Sequence, residues 1–257
     1  MVEPLMLVAL AADDFKRILG DNLVGVYAHG SLAFGCCQRN VSDVDFLAVV
    51  NHEMEPAEKE ALIRILAGLE REAPERGFEM SVLRYETCRN FVHPAPYELH
   101  YSEKYRAEAA RDLTGFCGRM HGTDKDLAAH MMVAGRFGIT VYGPPAAEVF
   151  APVPEKDYID SLLYDLDSAL EDVYEVPVSV ILNFCRVLAY CEEGLILSKP
   201  QGGRWALGHA EAKYLPLIHA ALSCRYAGEE MEAPDEVLDF CRSMRARINE
   251  AVFIGRR

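Results

Sequence analysis

The chain has 257 residues, of which 51% are hydrophobic and 26% charged, the make-up of an ordinary globular protein rather than a disordered or fibrous one. Asp plus Glu number 40 against 26 Lys plus Arg, and the resulting formal charge of -14 opposes a nucleic acid or an anionic lipid as partner while favouring a cationic one. No apolar run approaches roughly 18 residues, and acidic charge enters the opening stretch MVEPLMLVALAADDFKRILG early, so a cytoplasmic protein without membrane spans is expected.

In chain order, residues 5–19 mix apolar and charged positions as an opening helix does, and Leu23–Ala28 reads as a short strand entering a turn at His29-Gly30-Ser31. After Arg39-Asn40 the stretch 43–50 has a second half apolar enough for a central strand. Ala61, Leu62, Ile65, Leu66 and Leu69 line one side of a predicted helix, and Gly77 precedes another strand over 78–83. Leu127, Met131 and Ala134 begin a helical stretch ending near Gly138, before Ile139–Tyr142 and the breaker Gly143-Pro144-Pro145. Beyond Pro152-Val153-Pro154 the pattern turns almost wholly helical. Apolar stripes fall at Tyr158, Leu162 and Leu166, at Ile181, Phe184 and Leu188, at Leu215, Ile218 and Leu222, and at Val237, Cys241 and Met244. The expected organisation is an α/β domain with a mixed sheet over residues 1–154, followed by an all-α helical bundle over 155–257.

Eight cysteines, at 36, 37, 88, 117, 185, 191, 224 and 241, lack a repeated Cys-x-x-Cys spacing, so buried thiols in a reducing compartment are expected rather than disulfides or a structural zinc.

The chemistry concentrates in HGSLAFG at 29–35 and SDVD at 42–45. Aspartates two apart on an extended strand point the same way with Cα atoms roughly 6.6 Å apart, so Asp43 and Asp45 suit an oxygen-liganded cation such as magnesium. A bare Asp-x-Asp also describes solvent-exposed turn residues. The preceding Gly30-Ser31 tilts the balance, because glycine permits a tight turn and backbone N–H groups with the Ser31 hydroxyl can cradle phosphate oxygens. Glu79, on the later strand, would face the same cleft and accept a hydroxyl proton if its strand lies beside that of Asp45; an edge-strand glutamate facing water has the same sequence. In the second half, Lys199 between Ser198 and Pro200 suits a rigid loop presenting a point charge to phosphate, and Arg186 among apolar residues calls for an anionic or polar partner. Both also fit ordinary surface residues, and Tyr226 fits a core or cap position.

The stretch GVYAHGS, eleven intervening residues and DVDF together resemble the signature of the DNA polymerase beta-like nucleotidyltransferase superfamily. More closely, the chain resembles the aminoglycoside adenylyltransferases that modify streptomycin and spectinomycin. That likeness extends through FEMSVLRY, YELHYSEKY, DLAAHMMVAGRFGITVYGPPAAEVFAPVPEKDYI, LNFCRVLAYCEEGLILSKPQGGRWAL and YLPLIHAAL. It implies Asp43 and Asp45 as ligands of two magnesium ions and Glu79 as catalytic base. It further implies Gly30 and Ser31 against the triphosphate of ATP, nucleotide or phosphate contacts from Arg186, Lys199 and Tyr226, and two domains closing around a shared cleft.

The resemblance departs where such relatives grip their drugs with tryptophans and an acidic residue. The corresponding neighbourhoods here hold Lys104-Tyr105, Asp167-Ser168 and Glu175-Val176, and the single tryptophan is Trp205. Glu98, Glu103, Asp167, Asp172 and Glu175 offer an alternative attraction for a cationic small-molecule acceptor, or a solvated acidic face. The expected reaction is transfer of AMP from MgATP to an acceptor hydroxyl with loss of pyrophosphate. Its rivals are AMP transfer to a protein side chain and nucleotide binding without turnover.

Overall fold

The computed structural model describes residues 2–232 and 235–255. The chain divides into two compact units, Met1–Tyr158 and Ile159–Arg257.

The first unit opens with helix α1 (Pro4–Leu19), which has Pro in its first turn, where no backbone N–H partner is needed. It buries Leu7, Val8, Ala11, Ala12, Phe15 and Leu19, a face repeating every three to four residues. Strand β1 (Leu23–Ala28) follows, and the expected turn at 29–31 is the start of a single helical turn, α2 (Gly30–Ala33). Strands β2 (Val44–Val50) and β3 (Phe78–Arg84) are parallel and joined through helix α3 (Pro56–Leu69), the crossover that parallel neighbours require. A reciprocal capping box between Glu55 and Glu58 starts α3. Its buried residues are Lys59, Leu62, Ile63 and Leu66, so the inward face is turned slightly from the predicted stripe, leaving Ala61, Ile65 and Leu69 half-buried.

Strand β4 (Ala95–Tyr97) pairs with β6 (Gly122–Asp124) in a separate two-stranded sheet, while β5 (Leu99–Tyr101) and β7 (Ile139–Tyr142) form the edges of the main one. The main sheet runs β5-β3-β2-β1-β7 and is mixed, with β2 at its centre. Short helices α4 (Tyr85–Arg89), α5 (Arg106–Arg111) and α6 (Leu113–Arg119) precede α7 (Leu127–Phe137), and α8 (Ala146–Val149) follows β7.

Side-chain alternation divides the central strands between two tasks. Val44, Phe46, Ala48 and Val50 of β2 and Phe78, Met80 and Val82 of β3 join the apolar faces of α1 and α3 in one core. The intervening residues Asp45, Glu79 and Ser81 must therefore project from the opposite face.

Helix α9 (Glu155–Glu171) crosses the division between the units, and the second unit continues with α10 (Pro177–Glu193), α11 (Lys199–Ala206), α12 (Leu215–Ala227) and α13 (Val237–Gly255). Helix α10 packs against α11, α12 and α13 and is buried well beyond the predicted stripe, with Val180 to Cys185 and Val187 to Ala189 all inside. A helix apolar on nearly every side belongs at the centre of a bundle. Lys199 lies in the first turn of α11 rather than in the expected loop, because Ser198 and Gln201 cap each other's backbone N–H groups and Pro200 suits a helix start. All eight cysteines are free, and no helix among the described residues is long and apolar enough to cross a membrane.

Candidate active site

The parallel register sets Asp45 directly beside Glu79 on the face away from the core. Asp43, just before β2, completes the group: one carboxylate oxygen from each of Asp43, Asp45 and Glu79 lies within 4.8 Å of the others. Burial first, then the charges of Asp43 and Glu79, push the Asp45 carboxyl well above the usual carboxylate range, against opposing contributions from His130 and the Ser31 backbone N–H. Such a desolvated carboxylate, crowded by like charges, favours either a proton or a cation. Oxygen-only donors select a hard cation, so this set fits magnesium.

The approach to Asp45 depends on Gly30. Its φ of 54° lies in the left-handed region, and a Cβ there would sit 1.9 Å from Asp45 Oδ2. The backbone can thus press against the carboxylate and direct the Ser31 N–H toward it. The Ser31 hydroxyl oxygen is buried with no nitrogen or oxygen partner among the described residues, only the Cys37 thiol interacting with it, and it suits a phosphate oxygen as a stronger partner.

Histidines flank the group. His29 is only 3% exposed and its backbone N–H donates to the Asp45 carbonyl at 3.0 Å. Its ring packs on that of His130 from α7, with centroids 4.8 Å apart, and His130 Nε2 lies 3.9 Å from Glu79 Oε1. Burial and the charge of His130 hold the His29 pKa well below the ordinary imidazole value. Two residues along β3 from Glu79, Ser81 Oγ is 2.9 Å from Nδ1 of His100, whose pKa is lowered to about 4, chiefly by burial. His29 lies within the HGSLAFG stretch, and His100 and His130 within stretches that carry the family resemblance, but the sequence assigns none of the three a role in the site.

The other candidates lie in the second unit. Arg186 is the half-buried interruption of α10, and it has the partner expected of it: Nη2 is 3.3 Å from Asp165 Oδ2, and Nε donates to Asn183 Oδ1 at 2.6 Å. Asn183 Nδ2 donates to the same Asp165 oxygen at 2.9 Å, closing a three-residue network. Gly202 of α11 lies so close that a Cβ there would be 2.6 Å from the Arg186 backbone, which packs α11 directly against this part of α10. Lys199 Nζ donates to Ser179 Oγ, and Ser179 stands on the Arg186 side of α10, two turns earlier. Tyr226 is neither core nor cap: it is 50% exposed, and its hydroxyl accepts from Arg204.

Of the acidic residues expected to draw a cationic acceptor, Glu98 is excluded from that task. It is 8% exposed, pairs with Arg84 Nε at 2.9 Å and accepts from the Met54 N–H at 3.4 Å, so it closes internal contacts of the first unit. Asp167 pairs with Arg245 at 2.8 Å, while Glu103, Asp172 and Glu175 remain exposed.

The family described as aminoglycoside adenylyltransferase, C-terminal domain, matches residues 148–248. An aminoglycoside (3'') (9) adenylyltransferase of Klebsiella pneumoniae is 26% identical over 246 residues, covering 92% of each chain. A spectinomycin 9-adenylyltransferase of Staphylococcus aureus is 27% identical over 218 residues, covering 83% of this chain and 82% of the relative. The fold matches the crystal structure of the spectinomycin adenyltransferase AAD(9) of Enterococcus faecalis, solved with ATP and spectinomycin, at a TM-score of 0.78 and 21% identity, over 92% of this chain and 96% of that one.

Proposed function

Since the chain belongs to the aminoglycoside adenylyltransferase family, we propose that it transfers AMP from MgATP to a hydroxyl of an aminoglycoside or spectinomycin-like acceptor, releasing pyrophosphate. The observation that carries this reading is the meeting of Asp43, Asp45 and Glu79 on one face of the sheet, in a register that sets the proposed base beside a proposed metal ligand.

The acceptor oxygen attacks the α-phosphorus, a new P–O bond forms, and the bond to the pyrophosphate oxygen breaks. Glu79 takes the hydroxyl proton as the nucleophile's charge develops. Asp43 and Asp45 would hold magnesium, which would supply charge neutralisation at the triphosphate. Gly30 lets the backbone approach closely, and the Ser31 hydroxyl donates to a phosphate oxygen. In the second unit Arg186 and Lys199 contribute charge-assisted contacts to phosphate, and Tyr226 contributes a nucleotide contact. The net charge of -14 favours a cationic acceptor and opposes RNA. Eight free thiols agree with a reducing, cytoplasmic setting.

The test is pyrophosphate release from MgATP with streptomycin, spectinomycin and chemically distinct aminoglycosides, alongside labelled-ATP incubation with cell protein. Acceptor-dependent release with a labelled small product supports the reading; labelled protein with no small product overturns it in favour of a protein acceptor. Glu79→Gln is expected to lower kcat about 10²–10³-fold while leaving the apparent KM for MgATP within about twofold. Turnover at the parent rate in a chemistry-limited assay removes Glu79 as the base.

A further inference from the structure

Building on the reading of Glu79 as the base, we propose that His130 is a positioning residue for that carboxylate, linking its orientation to the strand that carries the aspartates. Of the three site carboxylates, Glu79 has the longest side chain and its task is the most directional, since a general base must meet one particular proton. Asp45 is set by the backbone that presses on it at Gly30 and by the Ser31 N–H. Glu79 leaves the sheet on a flexible stem and remains 30% exposed along its side chain.

One contact that bears on its orientation comes from α7. The His130 ring rests on the His29 ring at 4.8 Å, and His29 is itself immobilised by burial and by its backbone bond to the Asp45 carbonyl. From that fixed platform Nε2 reaches to 3.9 Å from Glu79 Oε1. This separation exceeds a hydrogen bond by about 1 Å, a gap that catalytic contacts commonly close when reactants arrive. Asp45, His29, His130 and Glu79 thereby lie in series, with the step from His130 to Glu79 still open, and closing that step ties the base to the strand that carries Asp45. A misplacement of about 1 Å at a reacting centre costs up to about 10²-fold in rate.

The test combines three substitutions at position 130 with the Glu79 variant. His130→Leu keeps apolar bulk against His29 but removes the nitrogen, and it is expected to lower kcat about 10- to 100-fold with the apparent KM for MgATP within about twofold. His130→Gln can bring an amide nitrogen to the position of Nε2 and is expected to recover most of the rate; His130→Ala tests loss of the ring altogether. In a Glu79→Gln background the His130→Leu effect should disappear, because a residue acting through the base has nothing left to position. Melting temperatures of all variants are read in parallel, and His130→Leu with parent stability and reduced kcat supports the role.

Equal kcat loss in the presence and absence of the Glu79 carboxylate overturns the inference, as does parent kcat in His130→Leu. A loss of rate in step with a loss of melting temperature, not recovered by His130→Gln, makes the residue structural and overturns it too. If Glu79→Gln alone keeps the parent rate, the failure belongs to the assignment of the base.

Discussion

The two units handle buried charge in opposite ways. On the sheet face of the first, three carboxylates converge, and burial together with the charges of Asp43 and Glu79 raises the cost of ionising Asp45. In the second, Arg186 is already matched by Asp165 and Asn183, and Lys199 by Ser179. The first arrangement favours a proton or an added cation, whereas in the second the basic groups already have partners with which an anion must compete. Strong dependence on metal is therefore expected of the acidic site, and graded effects on nucleotide affinity of the basic one.

The largest expected effect breaks the acidic side. Asp45→Asn should lower acceptor-dependent pyrophosphate release about 10³-fold or more, roughly 4 kcal/mol of transition-state stabilisation, and abolish the rise in melting temperature that Mg²⁺ with ATP gives the parent. Without metal the same variant should melt above the parent at neutral pH. The sign follows from a folded pKa raised above the unfolded one: the contribution is fully present below the ordinary carboxylate value and lost as pH rises through the raised one, and asparagine removes that loss. A metal-free Asp45→Asn protein that melts lower than the parent would remove the picture of mutually repelling carboxylates.

Next in size is the acid response of the same face. His100 is held neutral with its pKa lowered to about 4, and the His29 pKa is lowered too. A depressed folded pKa gives stability that is present above the ordinary imidazole value and lost as pH falls toward the folded one. Chemical denaturation between pH 7 and 4 should show the parent losing stability, with His100→Gln lacking a share of that slope worth at most about 3 kcal/mol.

Arg186→Ala sharpens the other side of the comparison. It should raise the apparent KM for MgATP about 10-fold, roughly 1.4 kcal/mol, with a smaller change in kcat. Asp165→Asn, which leaves Arg186 in place without its anionic partner, should change KM less than Arg186→Ala does. The smallest effect is expected at Asp167, whose partner Arg245 holds it at the surface. Asp167→Asn should shift unfolding free energy by less than about 1 kcal/mol, and a large change in acceptor KM would identify Asp167 as an acceptor contact rather than half of a surface pair.

Much of this was legible before any coordinates. Strand β1 falls at the expected residues, and β2 and β3 begin within one residue of expectation, because alternating or continuous apolar runs bounded by glycine and polar residues have few other solutions. Lys199, beside Pro200, reads as part of a rigid loop but lies in the first turn of α11, because Ser198 and Gln201 form a capping box and proline is at home in a first turn. Glu98 illustrates a harder limit: an acidic residue in a polar stretch gives no sign that an arginine fourteen positions earlier will bury it.

What the sequence alone determined is local: two carboxylates two residues apart where a strand begins, the glycine-serine turn before them, the change from alternating α/β elements to continuous helices, and the acidic balance of the whole. Tertiary structure alone decided that Glu79 stands in register with Asp45, that His130 of α7 packs on His29 and stands 3.9 Å from Glu79, and that Asp165 faces Arg186 from another helix. Periodicity constrains which way a side chain leaves its own element, but which element it meets depends on packing between segments tens of residues apart, and no local pattern carries that information.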